Sequence, residues 1–436
     1  MVDTRKIDEI FEKYNGPERP GYAVAVAKDG ELFYAKGFGC GNLETGKMIE
    51  PSDVFHVASV SKQFTAMCIS LLEDDGLLSV DDCPKKYLPY LPDIFDDVTI
   101  RNMLNHTSGV REHWDLFQFS GCSLEDLVTK DNMLRLTCSQ RHKNFEPGSE
   151  YLYCNASYLL LGEIVAAVSG KTLRQFADER IFKPLGMSKS FFRDNHKDIV
   201  KDKVYSYVEK DGQWKHSVLT FDIVGPTSLN TTALDLIKWL DNWRHPVICS
   251  QRVLDRMVEP VHLNNGELVA YSRGVRIADY RGHQTRGHGG SNAGYRTQVL
   301  SCGPWDIVVL GNFSDSMPGR HANLVLDVLL GLEHEEPAKV EKEVPVFTDL
   351  TAQQQAALTG TWYADELQTI YTSVAYSDKL VVTHMKAGDT VYRQTTADHF
   401  ISDNGETTMD YRDGSMFFTR ERTRNMEFRN IDWRSL

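Results

Sequence analysis

The feature that most constrains this 436-residue chain is a lysine placed at the start of an apolar helix. In Phe55-His56-Val57-Ala58-Ser59-Val60-Ser61-Lys62, the serine Ser59 and Lys62 stand three apart. Phe64, Met67, Cys68, Leu71 and Leu72 then recur at helical spacing, a stripe that faces a core. Residues three apart on a helix share one face, so the Lys62 amine reaches toward the Ser59 hydroxyl. A serine hydroxyl becomes a useful nucleophile only when a base takes its proton. A lysine serves as that base only if burial or nearby positive charge lowers its pKa from about 10.4. The free N–H groups and dipole of a helix start also favour an oxyanion. Alone, S-x-x-K is a weak signal, equally compatible with an N-cap serine and a solvated lysine.

Length allows two or three domains and a sizeable core. A net charge of −13, with no basic block, argues against nucleic-acid binding. No basic-then-apolar leader opens the chain and no apolar run approaches a membrane span, so the expected compartment is the cytoplasm, with no membrane partner. The eight cysteines form no C-x-x-C pair and no metal-ligand cluster is visible. Reduced thiols, no metal and no cofactor are expected.

Gly21–Ala27 reads as a buried strand, and Leu32–Gly39 returns after a Lys28-Asp29-Gly30-Glu31 turn as a hairpin. The Ser59 helix follows, closed by Gly76. From about 77 to 243 the pattern is mostly helical, including the apolar stretch Tyr158–Val168, and reads as an inserted helical domain. Strands resume at Arg281–His288, Tyr295–Ser301 and Asp306–Phe313, and a helix is expected over His321–Leu332. One α/β domain, an antiparallel sheet flanked by helices, is thus built over 1–332 from both ends of that stretch. Residues 333–347 read as a charged linker. In 348–436, short alternating strands with turn signals at Ser377-Asp378, Asn404-Gly405 and Asp413-Gly414 suggest an antiparallel barrel of about eight strands. No catalytic constellation is visible in it, and it reads as a packing or oligomer domain, which leaves a homo-oligomer open.

Two further motifs lie downstream. In Tyr153-Cys154-Asn155 a phenol and an amide at i and i+2 point to one side. A phenol beside an ammonium loses its proton more easily, so Tyr153 can share proton transfer with Lys62, and Asn155 can hold the lysine or a substrate amide. In His288-Gly289-Gly290-Ser291 the glycines mark close backbone approach, an edge on which an extended substrate can lie. The Ser291 and Ser59 N–H groups can form an oxyanion hole, with His288 at the mouth of the site as a proton donor or substrate contact. Taken singly, each motif also fits a core tyrosine or a glycine turn.

Together, and in this order, the motifs resemble the serine β-lactamase and penicillin-recognising superfamily. The pattern is closest to its class C-like branch of D-aminopeptidases, D,D-peptidases and esterases. Leu104-Asn105-His106-Thr107-Ser108-Gly109, Phe145-Glu146-Pro147-Gly148 and Asp235-Leu236-Ile237-Lys238-Trp239 add to the resemblance, which spans about Ile7 to Leu332. It implies a site between an α/β and a helical domain. Ser59 would be the nucleophile, Lys62 and Tyr153 the base and acid pair, and Asn155 a positioning residue. His288-Gly289-Gly290 would stand for the family's K-T-G strand. A histidine there is mostly neutral near pH 7, unlike the lysine of many family β-lactamases, which weakens recognition of a substrate carboxylate. The barrel matches the lipocalin-like domains of D-aminopeptidases.

The expected activity is a serine hydrolase that forms an acyl-enzyme and cleaves small amides or short peptides, including those with a D-residue. Alternatives are a carboxylesterase, a β-lactamase or D,D-carboxypeptidase, and a non-catalytic binding protein.

Overall fold

In the strand Tyr22–Lys28, large and small residues alternate. Tyr22, Val24 and Val26 face one side, where they pack with Ile7 and Phe11 of the helix Arg5–Phe11 and with Val325 and Leu326 of the helix Pro318–Leu330. Ala23, Ala25 and Ala27 face the other, where their short side chains let the helix Ala233–Asp241 pack close. This strand is the centre of the architecture. It pairs antiparallel with Glu31–Phe38 on one side and with Trp305–Gly311 on the other, with Tyr22 opposite both Phe38 and Gly311.

The computed structural model describes residues 2–335 and 345–432. Its main sheet has seven antiparallel strands, in the order Tyr271–Ser272, Val275–Tyr280, His283–Asn292, Tyr295–Cys302, Trp305–Gly311, Tyr22–Lys28, Glu31–Phe38. The α/β class with an antiparallel sheet is therefore as read from the sequence, and the sheet joins both ends of the first 330 residues. The linker expected at 333–347 lies mostly outside the described residues.

The helix Ser61–Asp74 is buried from Ser61 through Leu72, on every side rather than along one stripe. It packs among the helices Asn155–Ser169, Leu173–Ala177 and Gln251–Met257, so its polar residues are enclosed as well. Gln63 Oε1 accepts the Trp239 indole N–H at 2.8 Å, and Thr65 Oγ1 donates to the Gly225 carbonyl at 2.8 Å. Gly76, at φ +74°, follows its end. Segment 77–243 is not all helix. It holds a hairpin, Tyr207–Lys210 with Gln213–His216, and its last helix, Ala233–Asp241, lies on the sheet strands Tyr22–Lys28 and Trp305–Gly311. No single helix among the described residues is long and apolar enough to cross a membrane.

The C-terminal part is a closed eight-stranded antiparallel barrel from Gly360–Ala364 to Thr423–Asn430, sealed where Trp362 faces Asn430. Trp362, Leu380, Phe400, Met409, Met416 and Phe428 fill its interior, so it is a packed core rather than a ligand cup. Its apolar core is continuous with Leu116, Phe119, Leu136 and Leu159 of the helical segment. A buried ion pair, Arg111 Nη1 to Glu366 Oε2 at 3.0 Å, crosses the same boundary. The Tyr371 hydroxyl donates to the Phe119 carbonyl at 2.8 Å. The barrel is thus fused to the helical segment.

Candidate active site

Ser59 sits in a short 3-10 turn, Ala58–Val60, that runs directly into the helix Ser61–Asp74. It does not cap that helix, whose cap position is Val60. Ala58, just before the serine, has φ +47°, a left-handed conformation that costs a residue with a Cβ about 1–3 kcal/mol. The turn is held there from several sides. The Ser61 hydroxyl donates to the Ala58 carbonyl at 2.5 Å and accepts the Leu229 N–H at 2.9 Å. His56 Nδ1 accepts the Ala58 N–H at 3.2 Å.

Lys62 is fully buried. Its Nζ lies 3.3 Å from Ser59 Oγ, 2.7 Å from Asn155 Oδ1 and 2.8 Å from the Pro226 carbonyl oxygen. Burial drives its pKa well below the ordinary lysine value, against the opposing pull of Glu112. A neutral amine has two N–H groups and one lone pair. In that neutral form Asn155 and Pro226 would accept the two N–H groups and the lone pair would face the Ser59 hydroxyl.

Tyr153 arrives on the loop ahead of Asn155–Ser169, its ring centre 4.7 Å from Lys62 Nζ. Its hydroxyl is buried and makes no hydrogen bond, yet lies near enough for Ser59 to favour its ionised form. Burial outweighs that and raises the Tyr153 pKa. The sequence expectation of an easily ionised phenol therefore does not describe the resting site, because burial costs the phenolate more than the neighbouring Ser59 hydroxyl returns. His106 fixes this loop: its Nδ1 accepts the Cys154 N–H at 3.0 Å, and its ring packs 4.2 Å from that of Tyr153. Cys154 is a buried neighbour with no further part.

His288, Gly289, Gly290 and Ser291 lie on the strand His283–Asn292. This strand is not a simple edge. It pairs with Val275–Tyr280 as far as Gly287, and beyond that only with Tyr295–Cys302, so its free stretch begins at His288. Gly290 has a physical reason to be glycine: a Cβ there would meet the Val57 carbonyl oxygen and Thr297 Oγ1, both at 2.4 Å. The strand thus lies directly against the Ser59 turn. His288 is buried instead of standing at the mouth. Alternation along the strand turns its ring inward, where Nδ1 donates to the Gly289 carbonyl at 2.5 Å and Nε2 accepts the Tyr271 hydroxyl at 3.0 Å. Burial lowers its pKa to about 3, so it is neutral and both nitrogens are occupied.

These residues line one cleft of about 1280 Å³, which holds Ser59, Tyr153, Asn155, His288 and Ser291 together. Three contributors were not read from the sequence. Arg276, on the neighbouring strand, lines both this cleft and an adjoining cavity of about 490 Å³ that includes Tyr151, Leu263 and Val269. It makes no hydrogen bond or ion pair among the described residues. Glu112 is fully buried. Its Oε2 accepts the Asn155 N–H at 2.5 Å and its Oε1 the Trp114 N–H at 3.2 Å. Arg422 comes from the barrel, on the turn between Ser415–Arg420 and Thr423–Asn430. The barrel, read from sequence as a packing or oligomer domain, therefore also lines the cleft. The only available signal was the charge of a turn, which looks the same on any solvated loop.

A β-lactamase family model matches residues 7–330. The D-aminopeptidase of Brucella anthropi is 27% identical over 374 residues, covering 83% of this chain and 66% of that protein. Penicillin-binding protein 4* of Bacillus subtilis is 27% identical over 311 residues, 68% of each. The chain spans about two thirds or less of the D-aminopeptidases it matches. Among solved structures, the octameric penicillin-binding protein homologue from Pyrococcus abyssi superposes with a TM-score of 0.64 at 25% identity, covering 98% of both chains. D-amino acid amidase from Ochrobactrum anthropi has the same fold at 20% identity, with a TM-score of 0.65 over 76% of this chain and 99% of that one. With a serine, a buried lysine and a tyrosine gathered at one cleft and the family model spanning most of its length, this chain belongs to the β-lactamase family.

Proposed function

We propose that the chain is a serine hydrolase that cleaves amides or short peptides through an acyl-enzyme. The observation that carries this reading is the buried Lys62 amine, its Nζ 2.7 Å from Asn155 Oδ1, 2.8 Å from the Pro226 carbonyl oxygen and 3.3 Å from Ser59 Oγ. In this reading Lys62 takes the Ser59 proton as Oγ attacks the substrate carbonyl. The N–H groups of Ser59 and Ser291 hold the oxyanion. Tyr153, a neutral phenol, donates its proton to the leaving amine and is reprotonated through Lys62. Water then frees the acyl group. His288 acts as a buried support for Tyr271 and the Gly289 backbone, not as a proton donor to substrate.

The D-aminopeptidase relatives support a substrate with an N-terminal D-residue. D- and L-aminoacyl p-nitroanilides set beside p-nitrophenyl esters test this; turnover of esters alone overturns it in favour of a carboxylesterase. A serine-directed fluorophosphonate tests the chemistry itself. A single adduct is expected on the wild type and none on Ser59→Ala. An unlabelled wild type would point to a binding protein instead.

A second reading is favoured by Arg276. His288 carries no charge to hold a substrate carboxylate, but the Arg276 guanidinium lines the same cleft without a partner. A D,D-carboxypeptidase or β-lactam substrate, each with a carboxylate, then becomes plausible on physical grounds. Arg276→Gln is expected to raise KM about tenfold for a carboxylate-bearing substrate and to leave its methyl ester unchanged, as for loss of one charge-assisted contact. Equal effects on both would exclude this reading. Self-association is proposed as well, on the strength of the octameric relative; a monomer mass by light scattering would sink it.

A further inference from the structure

Glu112 is a carboxylate with no exposure, one residue away from the Lys62 amine along a chain of hydrogen bonds. Its Oε2 takes the Asn155 N–H at 2.5 Å, and Asn155 Oδ1 takes Lys62 Nζ at 2.7 Å. A buried anion so close to a lysine ordinarily drags a proton onto it, because the pair is stable only when charges balance. A protonated Lys62 has no lone pair for Ser59. Glu112 therefore needs another cation.

The barrel supplies one. Arg422 Nη1 lies 4.0 Å from Glu112 Oε2. Its Nε is buried without a hydrogen-bond partner, and its guanidinium sits 5.8 Å from the Tyr153 ring centre. The backbone around it is fastened to the helical segment at several points. The Arg422 N–H donates to Asp115 Oδ2 at 2.9 Å. Its carbonyl accepts Asn144 Nδ2 at 2.9 Å, and Thr423 Oγ1 accepts the Glu112 N–H at 3.2 Å. A turn tied down this firmly fixes where the Arg422 guanidinium sits beside Glu112.

We infer that Arg422 is a positioning residue of the catalytic centre, reaching in from the barrel to balance Glu112, so that Glu112 can hold the Asn155 backbone without drawing a proton onto Lys62. This rests on the reading of Lys62 as the base. The other groups that face Lys62 are accounted for. From the segment 153–158 come Tyr153, Cys154 and Tyr158, all kept neutral by burial. His106 and His288 are pushed toward the neutral form by burial, and so is His113, whose Nε2 lies 3.7 Å from Glu112 Oε1, nearer than Arg422, but whose pKa burial lowers to about 4. Arg276, across the cleft on the sheet, is a second cation but acts on Lys62 more weakly than Arg422. Of the charged groups around Lys62, Glu112 is the anion and Arg422 the cation that act on it most strongly. The neighbour of Arg422, Glu421, 3.6 Å away, is exposed and screened by solvent.

The test is the pH dependence of fluorophosphonate labelling of Ser59 in the full chain. In Arg422→Met the acid limb is expected to move up by about one pH unit, so that labelling at a given pH on that limb falls about tenfold while the plateau above it is unchanged. Arg422→Lys, which keeps the charge, is expected to stay close to wild type. Glu112→Gln is expected to move the limb the other way, and to restore it when combined with Arg422→Met. An unmoved limb in Arg422→Met, or one moved equally in Arg422→Lys, overturns the inference. Should Arg422→Met fail to label at any pH, Glu112→Gln alone decides: a limb that does not move down overturns it. If the wild type itself shows no acid limb, or carries its label elsewhere than Ser59, it is the underlying reading of Lys62 that has failed.

Discussion

Replacing Lys62 by methionine is expected to lower kcat/KM by about a thousandfold while leaving the fold intact, in the range that loss of a general base produces. Methionine matches the lysine stem in length and is at home in a buried site. What it removes is the lone pair at 3.3 Å from Ser59 Oγ. It also leaves Asn155 Oδ1 and the Pro226 carbonyl without their donor, so some loss of stability accompanies the loss of rate. Burying a polar amine there is itself unfavourable, which offsets part of that loss. The wild-type profile has a definite sign. Because burial lowers the Lys62 pKa, the amine is neutral above that value and charged below it. Activity therefore falls as pH drops through it, and the methionine variant, with no amine to protonate, should lose that limb. A variant that keeps most of its activity with the limb unchanged would show that another group takes the serine proton.

The second large effect concerns the seam between barrel and helical segment. Glu366→Ala is expected to destabilise the chain by about 3–5 kcal/mol, the cost of leaving a buried charge unpaired. Arg111 is only 2% exposed and donates from Nη1 to Glu366 at 3.0 Å. The same carboxylate oxygen accepts the Arg141 N–H at 2.9 Å. Arg111 Nη2 donates to the Asn425 carbonyl at 2.9 Å, three residues from Arg422, so the loss should also loosen the turn that reaches the cleft. Urea unfolding of the two proteins measures it. A change below about 1 kcal/mol, the ordinary worth of a surface pair, would mean the seam holds by its apolar contacts alone.

What could be read from the text of the chain followed a simple rule. Local signals survived: the Ser59–Lys62 helix start, the hairpin from Tyr22 to Phe38, the barrel turns at Asn404-Gly405 and Asp413-Gly414, and the Gly290 close approach all rest on spacing within a few residues. Ser59, Lys62, Tyr153 and Asn155, which the structure brings together, were singled out because their types and order are themselves informative. The rest was set by contacts across hundreds of residues. His288 was expected at the mouth and lies buried, since a strand's alternation shows which residues share a face but not which face looks inward. Arg276 and Arg422 were missed because an arginine on an exposed strand or turn looks the same whether it meets solvent or a cleft. Glu112 was seen only as part of a loop, although it caps the helix His113–Phe119. The helix Ala233–Asp241 was assigned to the insert by adjacency, and its place on the sheet came from a complementarity with Ala23, Ala25 and Ala27 that no local window contains.

The pairing of Tyr22–Lys28 with Trp305–Gly311 has a consequence for synthesis. The first hairpin leaves the ribosome early and must wait, one flank unpaired, until the last strands of the sheet emerge. Unpaired strand flanks recruit other chains, and contacts so distant in sequence form slowly. Nascent copies should therefore depend on chaperones through most of translation, and truncated products should aggregate rather than accumulate as soluble halves.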